Sequence, residues 1–326
     1  MEYYNDDRIY NISKHQQHPF YLLSLSRLPI FMATFSGCLA ILIIIKLQNI
    51  SNLSKFLDIS SSIMEPFFTV SGILPSTDLP SDAVDTRILQ VLVLILITLW
   101  AWGYMIVLEA TYEGKHTFDV QVSLAYGMVL FLMSEAMLFF PFFWAFFHAS
   151  LIPSVTVGGI WPPIGIQSET LDAFMLPLAN TIILLTSGVT LVLAHRAMIE
   201  GIKSIILNGL YISITLGILF SWLQYLEYGL TKYTITDGLF GSTFFMLTGL
   251  HGFHVIVGTC LLLASYWRAL QNHFSKQYHI LFEYSAWYWH FVDVVWLLVF
   301  VFLYWWGANT TADLMRFSRY LAEQYP

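Results

Sequence analysis

Ser123-Leu-Ala-Tyr-Gly-Met-Val-Leu-Phe-Leu-Met-Ser-Glu-Ala-Met-Leu-Phe-Phe-Pro-Phe-Phe-Trp-Ala-Phe-Phe-His148 is a run of 26 residues in which Glu135 is the one acidic group. About 20 apolar residues cross the hydrocarbon of a bilayer as a helix. The run therefore reads as a transmembrane span with a carboxyl set inside it. A charge at mid-membrane costs about 2.5–3.5 kcal/mol on insertion scales, so Glu135 must face protein, water or a partner. Helical spacing puts Met128, Phe131, Leu138, Phe139 and Phe142 on or near its face, an apolar and aromatic setting without an ionic network. Two readings stand: a proton-exchanging or partner-facing carboxyl, or a structural acid that hydrogen-bonds a neighbouring helix. Pro141, six residues on, removes a backbone donor and predicts a bend.

Composition extends this reading outward. The 326 residues are 57% hydrophobic and 11% charged, with a mean hydropathy of +0.67. So few charges cannot cover a soluble globule of this length. The formal net charge of -7 lies mostly outside the apolar runs and leaves no basic patch, which argues against nucleic acid as a partner. Apolar segments near 29–47, 88–108, 123–149, 171–196, 204–228, 239–267 and 283–307 predict seven transmembrane helices in an all-α membrane protein. Their unbroken apolarity is unlike the alternation of barrel strands.

An odd count puts the termini on opposite sides of the membrane. Arg8, Lys14, Arg27, Lys115, Arg196, Lys203, Arg268 and Lys276 fall on the N-terminal side, so positive-inside logic turns the N-terminus to the cytoplasm or matrix. Met1 to Arg8 show neither signal-peptide nor transit-peptide character, and the first helix is expected to direct insertion. Cys38 and Cys260 sit in apolar stretches without Cys-x-x-Cys spacing and read as buried free thiols.

The chain divides into an N-terminal extramembrane segment, 1–28; helices 1 and 2 over 29–108, with a long inserted loop at 48–86; five helices over 109–307; and a C-terminal extramembrane tail, 308–326. The loop carries Pro66, Pro75 and Pro80 with Asp58, Glu65, Asp78, Asp82 and Asp85, a mixture that cannot cross a bilayer as a helix. It is expected outside, packed on something or forming a flap. In the tail, Leu314, Phe317 and Leu321 share one helical face, which predicts a short amphipathic helix against a partner or the headgroups.

On the sixth helix Gly241, Thr248, Gly252 and Thr259 form a stripe of small residues that admits a neighbouring helix. His251 and His254 lie beside it. A histidine pair alone is not a closed metal site, and these read as hydrogen-bonding residues that tie helices together. On the seventh, His290 and Trp289 can each reach Asp293 at helical spacing. With His148 at the end of the third span, His251, His290 and Asp293 are read as structural intramembrane polar residues. Trp305 and Trp306 read as interfacial anchors. No heme-ligand set, nucleotide loop or triad is evident, so neither catalytic residues nor metal ligands are predicted.

Ordered motifs carry the reading further. Glu109-Ala-Thr-Tyr-Glu-Gly-Lys-His-Thr117, Ser134-Glu135, Phe143-Trp-Ala-Phe-Phe-His148, Trp161-Pro-Pro-Ile-Gly-Ile166, Pro177-Leu-Ala-Asn-Thr181, Asp237-Gly-Leu-Phe-Gly-Ser-Thr-Phe-Phe245, Thr248-Gly-Leu-His-Gly-Phe-His-Val255 and Trp287-Tyr-Trp-His-Phe-Val-Asp-Val-Val-Trp296 follow one another along the chain. From His18 to Gly307 it resembles cytochrome c oxidase subunit III, in the heme-copper oxidase subunit III family. The resemblance implies a two-helix plus five-helix V-shaped bundle that holds phospholipids (cardiolipin, phosphatidylglycerol or phosphatidylethanolamine) in its cleft. It implies a non-catalytic subunit of an oxidoreductase complex in the mitochondrial inner membrane, N-terminus on the matrix side. Hemes and copper belong to partners, among them subunit I, and this subunit supports proton uptake and oxygen access.

By the same matching, Glu135 is the family's buried carboxylate. Glu109 and His116 fall at one lipid headgroup, and His254, Arg268 and His273 near another, a cationic helix end being suited to phosphate.

The chain departs from the family pattern in places. Trp102-Gly-Tyr-Met105 stands where relatives carry a Trp-Trp-Arg-Asp run, which removes an arginine from one lipid position. The loop at 48–86 and the tail at 308–326 are additions, expected to meet lineage-specific accessory subunits. Two alternatives are subunit III of a quinol oxidase, a type that usually lacks the first two helices, and a stand-alone proton-coupled transporter centred on Glu135. Against the transporter, no internal repeat or matching pair of broken helices is present.

Overall fold

In hydrocarbon a backbone has no water to bond with, and a helix satisfies its N–H and C=O groups within one segment. The computed structural model describes residues 20–22, 25–48, 81–155, 158–163, 165–166 and 170–307. It contains α1 (Leu28–Gln48), α2 (Ser81–Thr111), α3 (Phe118–Leu151), α4 (Leu176–Glu200), α5 (Lys203–Leu230), α6 (Gly238–Leu270) and α7 (Ile280–Val299). The last continues into a wider π-helical turn, Phe300–Trp306. Among the described residues there are seven helices long and apolar enough to cross a membrane, and no strand.

The boundaries differ from expectation chiefly at α2. That helix starts at Ser81, so Asp82 and Asp85, read as loop, stand in its first turns. Residues 49–80 of the inserted loop, the N-terminal segment through 19 and the tail at 308–326 lie outside the described residues. Pro141 lies inside α3, which runs on through it.

Packing separates two units, one from Gln16 to Thr117 and one that includes all helices from Phe118 onward. In the first, α1 and α2 bury Cys38, Leu42 and Val91 between them. Lys46 Nζ lies 2.5 Å from Asp85 Oδ1 where the two helices meet the inserted loop. In the second, α7 packs on α6, α4 and α3, α5 on α4 and α6, and α3 on α6.

Lipid tails are as apolar as leucine, so close approach and interhelical hydrogen bonds must hold such a bundle together. Trp289 of α7 supplies both. A Cβ at Gly217 of α5 would lie 2.6 Å from Trp289 Cη2, and one at Gly258 of α6 would lie 2.9 Å from Cε3. The same indole donates to Ser187 Oγ of α4 at 2.9 Å, not to Asp293 as the helical spacing suggested. Two turns on, Trp296 donates to Thr181 of α4 at 2.9 Å and meets Phe220 of α5 edge-on at 4.8 Å. Hydroxyl pairs complete the seams: Thr190 with Ser213, Tyr228 with Thr248 and Ser265 with Ser285, each at 2.8 Å.

The small-residue stripe of α6 is partly as expected. Thr248 and Thr259 are buried, but a Cβ at Gly252 would meet nothing within 4 Å, and the close helix approach falls at Gly258 instead. Cys38 is buried, whereas Cys260 is exposed on the outer face of α6. Trp305 is exposed, while Trp306 turns inward on Phe146 and Phe147.

The turn between α4 and α5 needs glycine twice over. Gly201 adopts φ 80°, and its N–H bonds the Ala197 and Met198 carbonyls. A Cβ there would also lie 2.5 Å from Lys276 Cε. A valine at Gly217 should overpack the Trp289 niche and destabilise the fold by roughly 1–3 kcal/mol. Gly252→Ala should change stability by less than about 0.5 kcal/mol. Thermal unfolding of the detergent-solubilised protein compares the two.

Candidate functional site

Glu135 has a partner that the spacing on its own helix could not show. His254 Nε2 lies 2.8 Å from Glu135 Oε2, joining α3 to α6. On its other side His254 Nδ1 donates to the Leu250 carbonyl at 2.8 Å. With Nδ1 committed as a donor, the Nε2–Oε2 contact requires one proton, either on the carboxyl or on the second ring nitrogen. Both arrangements have zero formal charge, which is why the pair is tolerated where a lone carboxylate is not. Phe139 packs on the imidazole at 5.0 Å and Tyr288 stacks over it at 6.1 Å. The result is a carboxyl–imidazole couple that holds a proton between two helices, with the Glu135 side chain 19% exposed.

The remaining predicted residues separate by place. His251 is buried, and its Nε2 lies 3.2 Å from the Val292 carbonyl of α7, a helix tie of the expected kind. His290 Nδ1 stands 3.6 Å from Asp293 Oδ2. A Cβ at Gly188 would lie 2.8 Å from that same oxygen, so any larger residue there would have to displace the Asp293 carboxyl. His148 is exposed in the last turn of α3.

Arg268 and His273 are brought together at the C-terminal end of α6. The His273 N–H bonds the Arg268 carbonyl at 3.0 Å, and the guanidinium sits 4.8 Å from the Phe274 ring centroid. Lys203 Nζ adds a third basic side chain, 2.6 Å from Asn272 Oδ1. Burial, and then the charge of Arg268, hold the His273 imidazole below its ordinary value. His254 does not join them: fourteen residues of helix put it about 21 Å from Arg268 along the axis.

In the α1–α2 unit Glu109 and His116 do converge, through Tyr21. Its hydroxyl donates to Glu109 Oε2 at 2.9 Å and lies 3.4 Å from His116 Nε2. Burial first, then the hydrogen bond and charge of Glu109, push the Tyr21 phenol up to about 12.

Two groupings escaped the sequence reading. His195 of α4 meets His279 and Glu283 at the start of α7, and one ligand atom from each lies within 4.8 Å of the others. His279 Nδ1 donates to the Ser275 carbonyl at 3.0 Å, which turns Nε2 towards Glu283 Oε1 at 3.3 Å. Two imidazoles and a carboxylate are a donor set suited to zinc-like divalent ions. Among the described residues this group, not the His251–His254 pair, has metal-ligating geometry. The i,i+4 spacing of His279 and Glu283 was a visible signal, but His195 lies 84 residues away from His279.

The second grouping is at Glu227, a fully buried carboxyl that accepts from the Tyr304 hydroxyl and from Gln224 Nε2.

The family described as Cytochrome c oxidase subunit III matches residues 64–308. This chain belongs to the cytochrome c oxidase subunit III family. It is 49% identical over 221 residues to cytochrome c oxidase subunit 3 of Latimeria chalumnae, across 68% of this chain and 84% of that one. The protein of the same name from Oncorhynchus masou is 50% identical over 216 residues, across 66% and 82%. That of Drosophila melanogaster is 49% identical over 215 residues, across 66% and 81%. Subunit III membership and seven membrane-length helices make this a multi-pass membrane protein of the heme-copper oxidase class.

Within it, Glu135→Gln should keep a hydrogen bond to His254 and leave stability nearly unchanged. Glu135→Leu strands the His254 nitrogen and should destabilise by about 1–3 kcal/mol. Thermal unfolding of the two variants side by side checks this.

Proposed function

We propose that the chain is a non-redox core subunit of mitochondrial cytochrome c oxidase, respiratory complex IV. It braces catalytic subunit I, holds structural phospholipids, and supports proton uptake and oxygen access while hemes and copper in its partners reduce oxygen to water. Its setting is the mitochondrial inner membrane with the N-terminus towards the matrix. The basic side chains Arg196, Lys203, Arg268 and Lys276 support that orientation, since they sit at or beside the ends of α4 to α7 that share one side of the bundle.

One observation carries this reading: the helix that holds Glu135 is the least covered in the second unit. Only 11% of the most apolar window of α3 is buried within the chain, against 50% for α7. Leu130, Met133, Met137, Phe140 and Trp144 all face outward from α3. A large apolar surface on an element with a functional carboxyl fits a helix laid against a neighbouring subunit or lipid. Its carboxyl is meanwhile anchored inward by His254. The Arg268, Lys203 and His273 corner supports a phosphate headgroup at the end of α6. The Tyr21, Glu109 and His116 cluster supports a second, with hydroxyl, carboxyl and imidazole as hydrogen-bonding partners. The segments at 48–86 and 308–326 are assigned to contacts with lineage-specific accessory subunits.

Affinity purification through this chain should bring down heme a and copper in fixed proportion; a chain that elutes free of both defeats the proposal. A hydrophobic carbodiimide should modify Glu135 in the intact complex, and failure to label at any pH would make the carboxyl purely structural. Arg268→Leu should reduce the phospholipid retained per complex by native mass spectrometry, whereas unchanged lipid removes the headgroup assignment.

A further inference from the structure

His290 faces outward from within a membrane span, a setting in which lipid cannot satisfy an imidazole. It is the eleventh residue of the span Ile280–Trp306, about 15 Å along the axis and well inside a hydrocarbon layer about 30 Å thick. Its side chain is nevertheless 43% exposed. Ionisable side chains at such depth turn almost always to protein or water, because hydrocarbon bonds neither a charge nor a ring N–H.

Within the chain the ring is incompletely satisfied. Its Nδ1 lies 3.6 Å from Asp293 Oδ2, too long for a direct hydrogen bond, and no other polar contact of the ring is present among the described residues. Two arrangements of the pair carry no net charge and use this contact: an imidazolium beside a carboxylate, and a neutral imidazole whose bare Nδ1 faces the protonated acid. Both put a hydrogen on Nε2. A neutral Nδ1–H beside the neutral acid would instead strand the acid proton on Asp293 Oδ1, which is buried with no partner among the described residues. The ring's second nitrogen is therefore a donor, and its acceptor must come from outside the described chain.

The surface around His290 has the pattern of a helix-packing seam. Trp287, His290, Val294, Leu298 and Val301 follow one another at spacings of 3, 4, 4 and 3 along the last span, the 3.5-residue period on which helices lie side by side. The four apolar members are exposed. On α4, Leu185 and Val192 are exposed as well, and at about 100° per residue both fall on the flank of that helix beside Gly188. Gly188 itself lies against the imidazole: a Cβ there would stand 3.7 Å from His290 Cε1. The absent side chain leaves the groove between the two flanks open at the level of the ring.

We infer that this face of α4 and α7 receives a transmembrane helix of a neighbouring oxidase subunit, which presents a hydroxyl, amide or carboxyl oxygen to His290 Nε2. A lipid keeps its oxygens in the headgroup region, out of reach of a ring at this depth. The inference rests on the oxidase-subunit reading and adds to it a second contact face, apart from the outward side of α3.

A cryo-electron microscopy map of the intact complex tests the contact. An oxygen of another subunit's helix about 2.7–3.2 Å from His290 Nε2 is the expected result. Acyl chains against the imidazole overturn the inference, and so does α1 or α2 of this chain in that place. A Val294→Trp variant tests the face without a map. Val294 is exposed within the chain, so the larger ring fits the chain itself but fills the groove, and the heme a recovered by affinity purification should fall about tenfold. Val294→Ala should keep full recovery. If the wild-type chain recovers no heme a, the oxidase reading fails; if wild-type recovery is full and Val294→Trp leaves it intact, this face alone is refuted.

Discussion

One indole governs the packing of the second unit. Trp289 lies against Gly217 and Gly258 at distances no Cβ would permit, and its N–H is taken by Ser187. Three helices are thereby fixed against α7 at a single level. Water does not drive helices together inside a bilayer, so a large flat ring in contact with bare backbone replaces it, because dispersion grows with contact area. The hydroxyl pairs on the other seams add direction to this contact. Trp296 repeats the device two turns away, against Thr181 and Phe220.

Once the helices are held, their polar groups must be satisfied without water. Glu135 and His254 meet this requirement as a couple that shares a proton at no net formal charge. Glu227 meets it differently. One of its oxygens receives two donors from the chain, the Tyr304 hydroxyl and Gln224 Nε2.

The less polar parts of the surface have their own logic. The outward residues of α3 form an apolar face on the same helix that presents Glu135, and the basic side chains gather where α6 ends and α5 begins. On the proposed reading the first would lie against a neighbouring subunit and the second would hold anionic lipid. Subunit III membership and these surfaces point the same way, although they are independent observations.

Much of this was legible from residue order. Unbroken apolar runs dictate membrane helices, since helix is the conformation that satisfies a backbone in lipid without help from elsewhere. The ordered motifs identified the family, and the isolation of Glu135 in its run required a partner from elsewhere in the fold, which is His254. Pairings across helices were not legible. His254 stands 119 residues from Glu135, Ser187 stands 102 from Trp289, and Tyr304 stands 77 from Glu227. Periodicity reports neighbours on one helix, which is why Trp289 was matched with Asp293 and why Gly252 was counted in the close-packing stripe while Gly258 was not. Element identity is a local property of the chain, so sequence by itself determined it. Which polar group meets which depends on the rotation and register of one helix against another, and only the tertiary structure decides those.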